Sequence, residues 1–202
     1  MRPFQPSRAL LLALSFTLLV ASCSKAPLPF RSTAVEGVKW GKDFELTAHT
    51  GQPLRTVDYR GKVLVLFFGY THCPDICAPT LAKLALLNRA LGADAQRVQV
   101  FFISVDPLHD TPAQLKKFLA GFDPAFIGLT GSADALVNEA LFTIAADHVV
   151  HFKQDKKNPT RIEHTGMLFV KDVKGRMRLL MRESAPLDDM LHDLRLLVRE
   201  GA

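Results

Sequence analysis

The chain has 202 residues, 48% of them hydrophobic and 22% charged, so it is long enough to bury a core without stabilising disulfides. This composition excludes a disordered chain and a fibrous protein. The formal net charge of +5 is small and its basic residues are scattered, which argues against a nucleic-acid-binding surface.

The N-terminus, residues 1–22, is predicted to be a bacterial lipoprotein signal peptide. Arg2 and Arg8 give it a basic start, and residues 9–20 are almost entirely apolar. The apolar run is too short for a permanent transmembrane helix, which needs about 20 residues. Removal of Arg2 and Arg8 with this segment would lower the formal net charge to +3.

Cys23 is predicted to carry a lipid anchor, because Val20-Ala21-Ser22-Cys23 resembles the bacterial lipobox. Acyl chains on this cysteine would hold the protein on a membrane of the bacterial cell envelope, facing the periplasm. An incidental thiol is the alternative. Residues 23–37 are rich in proline and small residues and are expected to form a tether. Residues 38–202 contain no second linker and are expected to form one domain.

Apolar patterning in chain order predicts alternating strands and helices. Residues 63–68 are an uninterrupted apolar run, as in a strand that is buried on both faces. Residues 98–103, apolar except for Gln99, are predicted to be a second buried strand. Shorter strands are predicted at residues 44–47, 127–129, 149–150, 167–170 and 177–180, and a polar loop at residues 152–161. Helices are predicted from the cysteine motif to Leu91, from a capping box at residues 111–114, from Ser132, and from Leu187 onward.

This order of elements predicts an α/β fold, a thioredoxin-like sandwich with a mixed central sheet flanked by helices. A cysteine pair that directly follows a buried strand and opens a helix is typical of thioredoxin. Cys73 and Cys77 occupy that position after the strand at residues 63–68.

Cys73 and Cys77 are predicted to be the functional pair, since Cys23 is assigned to the lipid. In an exported protein, two cysteines this close form a disulfide, a metal site, or both in turn. A helix that begins near Cys73 or Pro74 would place both on one face near its N-terminus, where the helix dipole favours thiolate. Their Cβ atoms would lie about 5–6 Å apart, whereas a relaxed disulfide needs roughly 3.5–4.5 Å. The spacing therefore favours a metal without excluding a disulfide.

Copper is the metal that this pair favours. Two thiolates with no other local ligand are too few for a structural zinc site, which has four ligands. Soft thiolates in a site with few ligands favour Cu(I), and one added imidazole would make the site suitable for Cu(II) as well.

Three motifs and a histidine segment resemble those of the SCO/SenC family, in order over roughly residues 40 to 200. They are GYTHCPDIC at residues 69–77, SVDP at 104–107 with DTP at 110–112, IGLTG at 127–131, and EHT at 163–165 before an apolar strand. The resemblance implies a thioredoxin-like fold that binds copper through Cys73, Cys77 and His164. It also implies delivery of copper to the copper A centre of cytochrome c oxidase. The oxidase subunit would then be the partner, with other periplasmic copper carriers as further candidates.

The other histidines near the motif are given lesser roles. His72 adjoins Cys73, but its side chain is expected to point away from the metal. His148 and His151 flank the predicted loop and are expected to be surface residues that could meet copper transiently.

Four further residues are expected to have structural roles. Asp75 is expected to cap the helix that follows the motif. Asp106 and Pro107 end a predicted strand and are expected to fix a turn beside the site. Met167 alternates with core residues and is expected to pack rather than to bind the metal through its sulfur.

Other functions could use the same cysteines. A thiol–disulfide reductase would use Cys73 as nucleophile and Cys77 as resolving thiol, or the reverse, to keep the copper-site cysteines of the oxidase subunit reduced. Whether the chain is an enzyme therefore stays open. A redox or copper sensor is a third hypothesis. A peroxidase is disfavoured, since Arg60 is the only nearby upstream arginine that could activate a peroxidatic cysteine.

Overall fold

The structure, a computed structural model, describes residues 28–131, 147–148, 150, 152–154 and 162–201. The predicted signal peptide, Cys23, His151 and most of the helix predicted from Ser132 lie outside the described residues. Within the described ranges, no helix is both long and apolar enough to cross a membrane.

The described residues contain ten strands: β1 Thr33–Ala34, β2 Glu45–Ala48, β3 Pro53–Arg55, β4 Val63–Gly69, β5 Val98–Ser104, β6 Ile127–Thr130, β7 Phe152–Gln154, β8 Ile162–His164, β9 Met167–Lys171 and β10 Met177–Arg182. Eight of them form one mixed sheet in the order β1-β10-β9-β4-β5-β6-β2-β3. β4, β5 and β6 run parallel, and the neighbouring strands on either side are antiparallel to them. β7 and β8 pair with each other in a separate two-stranded sheet.

Three α-helices are described: α1 Cys77–Leu91, α2 Pro112–Leu119 and α3 Leu187–Glu200. Two short 3-10 helices are also present: Thr56–Tyr59 connects β3 to β4, and Gly92–Arg97 connects α1 to β5. Half of the capping box predicted before α2 is confirmed, because Thr111 Oγ1 accepts a hydrogen bond from the Gln114 N–H at 3.2 Å. The Thr111 N–H donates to the His109 carbonyl at 3.1 Å. Pro112 is the first residue of α2, where its missing N–H costs no hydrogen bond.

β4 divides the core, because its side chains alternate between two apolar clusters. Val65 and Phe67 pack with buried residues of all three helices on one face. Leu64 and Phe68 pack on the other face, which is partly covered by Trp40 from the N-terminal segment. Both faces are therefore buried, which explains the uninterrupted apolar run, and each buried side chain of this size contributes about 1.5–3 kcal/mol.

The described part of the predicted tether docks on the domain. β1 pairs with β10 at the edge of the main sheet. Asp193 of α3, which is fully buried, accepts hydrogen bonds from the backbone N–H groups of Arg31 and Ser32 at 2.9 and 2.8 Å. The folded part of the chain therefore extends N-terminal of residue 38.

The predicted α/β class, its two long strands and its terminal hairpin are confirmed, but the predicted loop at residues 152–161 is wrong at its start. Phe152–Gln154 form β7, and Val150, predicted to be in a strand, is not in one. A two-stranded sheet outside the main sheet needs no buried apolar run, so the sequence of β7 lacks the pattern that marks core strands.

Candidate metal centre

Two strand ends bring the predicted ligands to one edge of the sheet. β4 ends at Gly69 and leads into residues 70–76, here called the cysteine turn. β9 is antiparallel to β4, so its N-terminal end lies at the same edge. His164 closes β8 just before β9 and therefore lies beside Cys73 and Cys77.

The prediction that a helix begins near Cys73 is wrong, because α1 begins at Cys77. The sulfur of Cys73 accepts the backbone N–H groups of Asp75 and Cys77, so the chain folds around this sulfur before the helix starts. The N-cap residue is Ile76 rather than Asp75, and it makes no side-chain cap bond. The Cys73 sulfur thus accepts the N–H of the first residue of α1.

The ligand atoms of Cys73, Cys77 and His164 all lie within 4.8 Å of one another. Nε2 of His164 is 3.4 Å from Sγ of Cys77 and 3.7 Å from Sγ of Cys73. A metal bonded at about 2.3 Å to sulfur and about 2.0 Å to nitrogen separates these atoms by roughly 3.5–3.7 Å in tetrahedral or trigonal geometry. The three residues therefore fit a metal that prefers thiolate and imidazole, as copper does.

A hydrogen bond fixes which nitrogen of His164 faces the sulfurs. Nδ1 lies 3.2 Å from the carbonyl oxygen of Thr165, and because a carbonyl only accepts, Nδ1 carries the hydrogen and Nε2 the lone pair. Phe67 and Tyr70 contact the imidazole edge to face, with centroid distances of 6.5 and 5.8 Å. A histidine that binds a metal needs a fixed tautomer and ring orientation of this kind.

Access to the site is from one side. Cys77 is fully buried, whereas Cys73 and His164 are half-buried. A cleft of about 340 Å³ opens onto Cys73 and His164, with Pro74 and Ile162 on its walls. An ion therefore enters and leaves past Cys73 and His164, not past Cys77.

The two cysteines have opposite pKa shifts before any metal binds. The hydrogen bond from Cys77 lowers the pKa of Cys73 to about 3, against the opposing effect of burial. The same hydrogen bond, together with burial, raises the pKa of Cys77 far above its usual value. The pair therefore consists of one thiolate and one thiol that share a proton, and a metal bound by both sulfurs has to displace that proton.

Tyr70 contacts all three residues of the site, a role that the sequence did not predict. Its carbonyl accepts the Cys73 N–H at 3.2 Å, and its own N–H donates to the Cys77 sulfur. Its phenol oxygen accepts the N–H of Ile162 in β8 at 3.0 Å, and its ring contacts His164. The one available signal was a tyrosine at the end of an otherwise apolar run, and that signal names no partner.

Asp110 also has a role at the site that the sequence did not predict. It is fully buried and accepts the Thr71 N–H at 3.0 Å, the Thr71 hydroxyl at 2.5 Å and the Ser104 hydroxyl at 2.6 Å. Because parallel β4 and β5 end at the same edge, these bonds join the cysteine turn to the loop after β5. Burial raises the pKa of Asp110, and its three donors oppose that effect. The DTP segment pointed to this residue, but not to its partners.

The remaining predicted residues lie around the ligand group without joining it. His72 is exposed. The carbonyl of Asp106 accepts the Asp110 N–H at 2.9 Å in the turn that Pro107 continues. Met167 is half-buried and packs against the apolar cluster on the Leu64 side of the sheet.

The prediction that His148 is a surface residue is wrong. Its side chain is fully buried, and its ring centroid lies 5.5, 5.7 and 6.0 Å from those of Phe44, Phe68 and Phe169. These three aromatic residues come from distant parts of the chain, so the local sequence gives no sign that the histidine is enclosed.

Gly69 is required by the position of Cys77. A Cβ atom at residue 69 would lie 2.7 Å from Sγ of Cys77 and 2.8 Å from Cε2 of Phe102. Any larger residue would therefore displace the cysteine or the aromatic ring.

Comparison with known proteins matches this chain to one family. A sequence model described as SCO1/SenC matches residues 32–199. The chain is 32% identical over 158 residues to a SCO2-like protein of Rickettsia conorii, covering 77% of this chain and 76% of that protein. It is 43% identical over 98 residues to the mitochondrial SCO2 homolog of Mus musculus, covering 48% of this chain and 38% of that protein. The chain thus spans little more than a third of the length of the first curated relatives it matches.

A solved structure has the same fold. The chain superposes on Bradyrhizobium japonicum ScoI with copper bound at a TM-score of 0.69 and 32% identity. The match covers 78% of this chain and 99% of that one. The thioredoxin-like sandwich predicted from the sequence is therefore confirmed.

Proposed function

This chain belongs to the SCO1/SenC family, and we propose that it is a copper metallochaperone that delivers copper to the copper A centre of cytochrome c oxidase. The convergence of Cys73, Cys77 and His164 carries the proposal, because two thiolates and one imidazole suit both Cu(I) and Cu(II). The Bradyrhizobium japonicum relative, solved with copper bound, supports the choice of metal.

The three ligands contribute differently to the two oxidation states. The thiolates of Cys73 and Cys77 hold Cu(I), and His164 adds the nitrogen that Cu(II) favours. Because Cys73 accepts the S–H of Cys77, an ion bound by both sulfurs replaces that proton. Copper affinity therefore rises with pH, since each ion bound releases a proton from Cys77.

Release to a partner begins on the open side of the site. Cys73 and His164 border the cleft, whereas Cys77 is fully buried behind them. An incoming thiolate of the oxidase subunit reaches the ion beside Cys73 and exchanges with that ligand first. Cys77 then leaves last, so the ion stays bound to sulfur throughout the transfer.

The cellular setting completes the proposal. Lipid on Cys23 holds the protein on a membrane of the bacterial envelope, facing the periplasm, where other copper carriers supply the ion. This part is supported by the sequence of residues 1–23 and by the match to the rickettsial protein. Mass spectrometry of protein extracted from membranes tests it: a lipid mass on an N-terminal Cys23 is expected, and an unmodified cysteine there contradicts it.

Metal analysis of the purified full-length chain tests the copper site. We expect one tightly bound copper per chain with a sulfur-to-Cu(II) charge-transfer absorption, which Cys73→Ser and Cys77→Ser each abolish. His164→Ala should weaken Cu(II) binding by at least about tenfold and Cu(I) binding far less. His192→Ala, on the partly exposed side of α3, is the control and should change neither. Retention of this absorption in the double cysteine variant would contradict the proposal.

A thiol–disulfide reductase is the second candidate function, favoured by the low pKa of Cys73 beside a second thiol. The Cys73 thiolate would attack a disulfide of the oxidase subunit and release one thiolate of the target. Cys77 would then displace the second, leaving the target reduced and Cys73–Cys77 as the disulfide. Oxidase assembly that survives His164→Ala but not Cys77→Ser would favour this function over copper delivery.

A further inference from the structure

We propose that His72 and His109 form a second, weaker copper site beside the Cys73–Cys77–His164 centre, through which copper passes as the centre is loaded. The loading role rests on the proposed copper function, whereas the ability to bind the ion does not. Both histidines lie at the edge of the sheet where β4 and β5 end, His72 in the cysteine turn and His109 in the loop after β5.

The two imidazoles are close to each other and open to solvent. Their ring centroids are 6.4 Å apart and their planes cross at 73°. A metal ion bonded to two imidazole nitrogens at about 2.0 Å separates the ring centres by about 6 Å when the three atoms lie near a line. His72 is exposed and the side chain of His109 is 59% exposed, so an ion in solution reaches both.

Asp106 fixes the tautomer of His109. Nδ1 of His109 lies 2.8 Å from each carboxylate oxygen of Asp106, which is mostly buried. A carboxylate only accepts hydrogen bonds, so Nδ1 carries the hydrogen and Nε2 holds the lone pair. Nε2 of His109 is thus free of the Asp106 contact, on a side chain that is mostly exposed.

Asp110 fixes the tautomer of His72 through the hydroxyl of Thr71. The Thr71 hydroxyl donates its hydrogen to Asp110 at 2.5 Å. Its oxygen, which lies 3.1 Å from Nδ1 of His72, is therefore an acceptor, and Nδ1 donates to it. Nε2 of His72 is left with the lone pair.

Two carboxylates of one loop thus prepare two neighbouring imidazoles in the same way. A histidine that binds a metal characteristically donates its other nitrogen to a carboxylate or to another acceptor. Two imidazoles without a thiolate bind copper more weakly than the cysteine centre, which suits an ion that has to move on. His72 directly precedes Cys73 in the chain, so both copper sites share the cysteine turn.

α3 contains a matched control for this arrangement. Nδ1 of His192 lies 3.0 Å from Asp193, and the His192 side chain is 32% exposed. The same histidine–aspartate contact is therefore present there, away from the cysteine turn. Loss of His192 should affect neither copper binding nor loading.

Copper titration of the full-length Cys73→Ser/Cys77→Ser/His164→Ala variant tests the site in the absence of the first centre. The titration is run at pH 8, because the hydrogen bond to Asp106 raises the pKa of His109 and competition by protons is smaller there. We expect one Cu(II) per chain with nitrogen hyperfine splitting and no sulfur charge transfer. Adding H72A or H109A should weaken binding by at least about tenfold, and adding H192A should not.

Stopped-flow loading of the otherwise wild-type chain provides a readout that does not depend on the triple variant folding. H72A and H109A should each slow the appearance of the sulfur charge-transfer band several-fold, with unchanged final copper affinity. Equal affinity in the triple variant with and without H72A and H109A overturns the site, and unchanged loading rates overturn the loading role. Copper binding at His72 and His109 in a chain whose cysteines never bind copper would contradict the proposed function and support this second site.

Discussion

Tyr70→Phe isolates the contact that holds His164 against the cysteine turn. The substitution keeps the ring beside His164 and the backbone contacts with both cysteines. It removes only the oxygen that accepts the Ile162 N–H at 3.0 Å. β8 carries Ile162 and His164 and pairs with β7 rather than with the main sheet, so this bond ties the histidine strand directly to the turn.

The expected effect is worked from the hydrogen bond between the Ile162 N–H and the Tyr70 hydroxyl, since a neutral hydrogen bond contributes about 0.5–1.5 kcal/mol net. If about 1 kcal/mol of it supports the position of His164, Cu(II) affinity falls about fivefold. Cu(I) affinity should stay within about twofold, because the two thiolates keep their contacts with the backbone of Tyr70.

Competition titrations with chelators specific for each oxidation state measure both affinities on the full-length chain. Tyr59→Phe is the control, because Tyr59 packs on Phe101 at a centroid distance of 5.0 Å and contributes nothing to the ligand group. Equal losses of Cu(I) and Cu(II) affinity in Tyr70→Phe, or no loss of either, would refute the reasoning.

Three further outcomes are expected. In the reduced, metal-free protein at pH 5, iodoacetamide should modify Cys73 but not Cys77, because the Cys73 pKa of about 3 leaves that residue as a thiolate. Peptide mass spectrometry measures the labelling, and equal labelling of the two cysteines contradicts the prediction. Burial lowers the pKa of Lys171 to about 8, so its protonation destabilises the folded state below that pH and the cost disappears as pH rises toward 10.5. Urea denaturation gives the unfolding free energies of the wild type and of Lys171→Met. The wild-type value minus the variant value should rise by about 3 kcal/mol across this pH range, and a difference that does not change with pH contradicts the prediction. Gly69→Ala should displace Cys77 and weaken copper binding at least about tenfold. The control is Gly128→Ala, whose Cβ would contact apolar side chains of Leu115 and Leu119 and which should lower stability alone. Equal copper affinities of the two variants contradict the displacement.

The cysteine pair could be predicted because its context is local in the chain. The apolar run of β4 and the two cysteines after it indicate a buried strand that ends at a reactive turn. The start of α1 could not be predicted, since it depends on which N–H groups the sulfur of Cys73 accepts. Helical propensity and spacing contain no term for a side-chain sulfur as the acceptor.

His164 became a candidate through family resemblance rather than through its own surroundings. Its position depends on the antiparallel pairing of β9 with β4 and on a hairpin that no apolar pattern marks. The role of Tyr70 and the burial of His148 could not be predicted for the same reason, because their partners lie far away in the chain and contact them only after the sheet has formed.

The pairing of β1 with β10 determines how the molecule responds to tension. β1 contributes two residues to the sheet edge and is separated from β4 by β10 and β9. A pull on the N-terminal end therefore loads this short pairing and the hydrogen bonds to Asp193 first. If they give way, the edge strand separates from the sheet while β4 and the turn that follows it bear no load, so tension on this end leaves the ligand geometry unchanged.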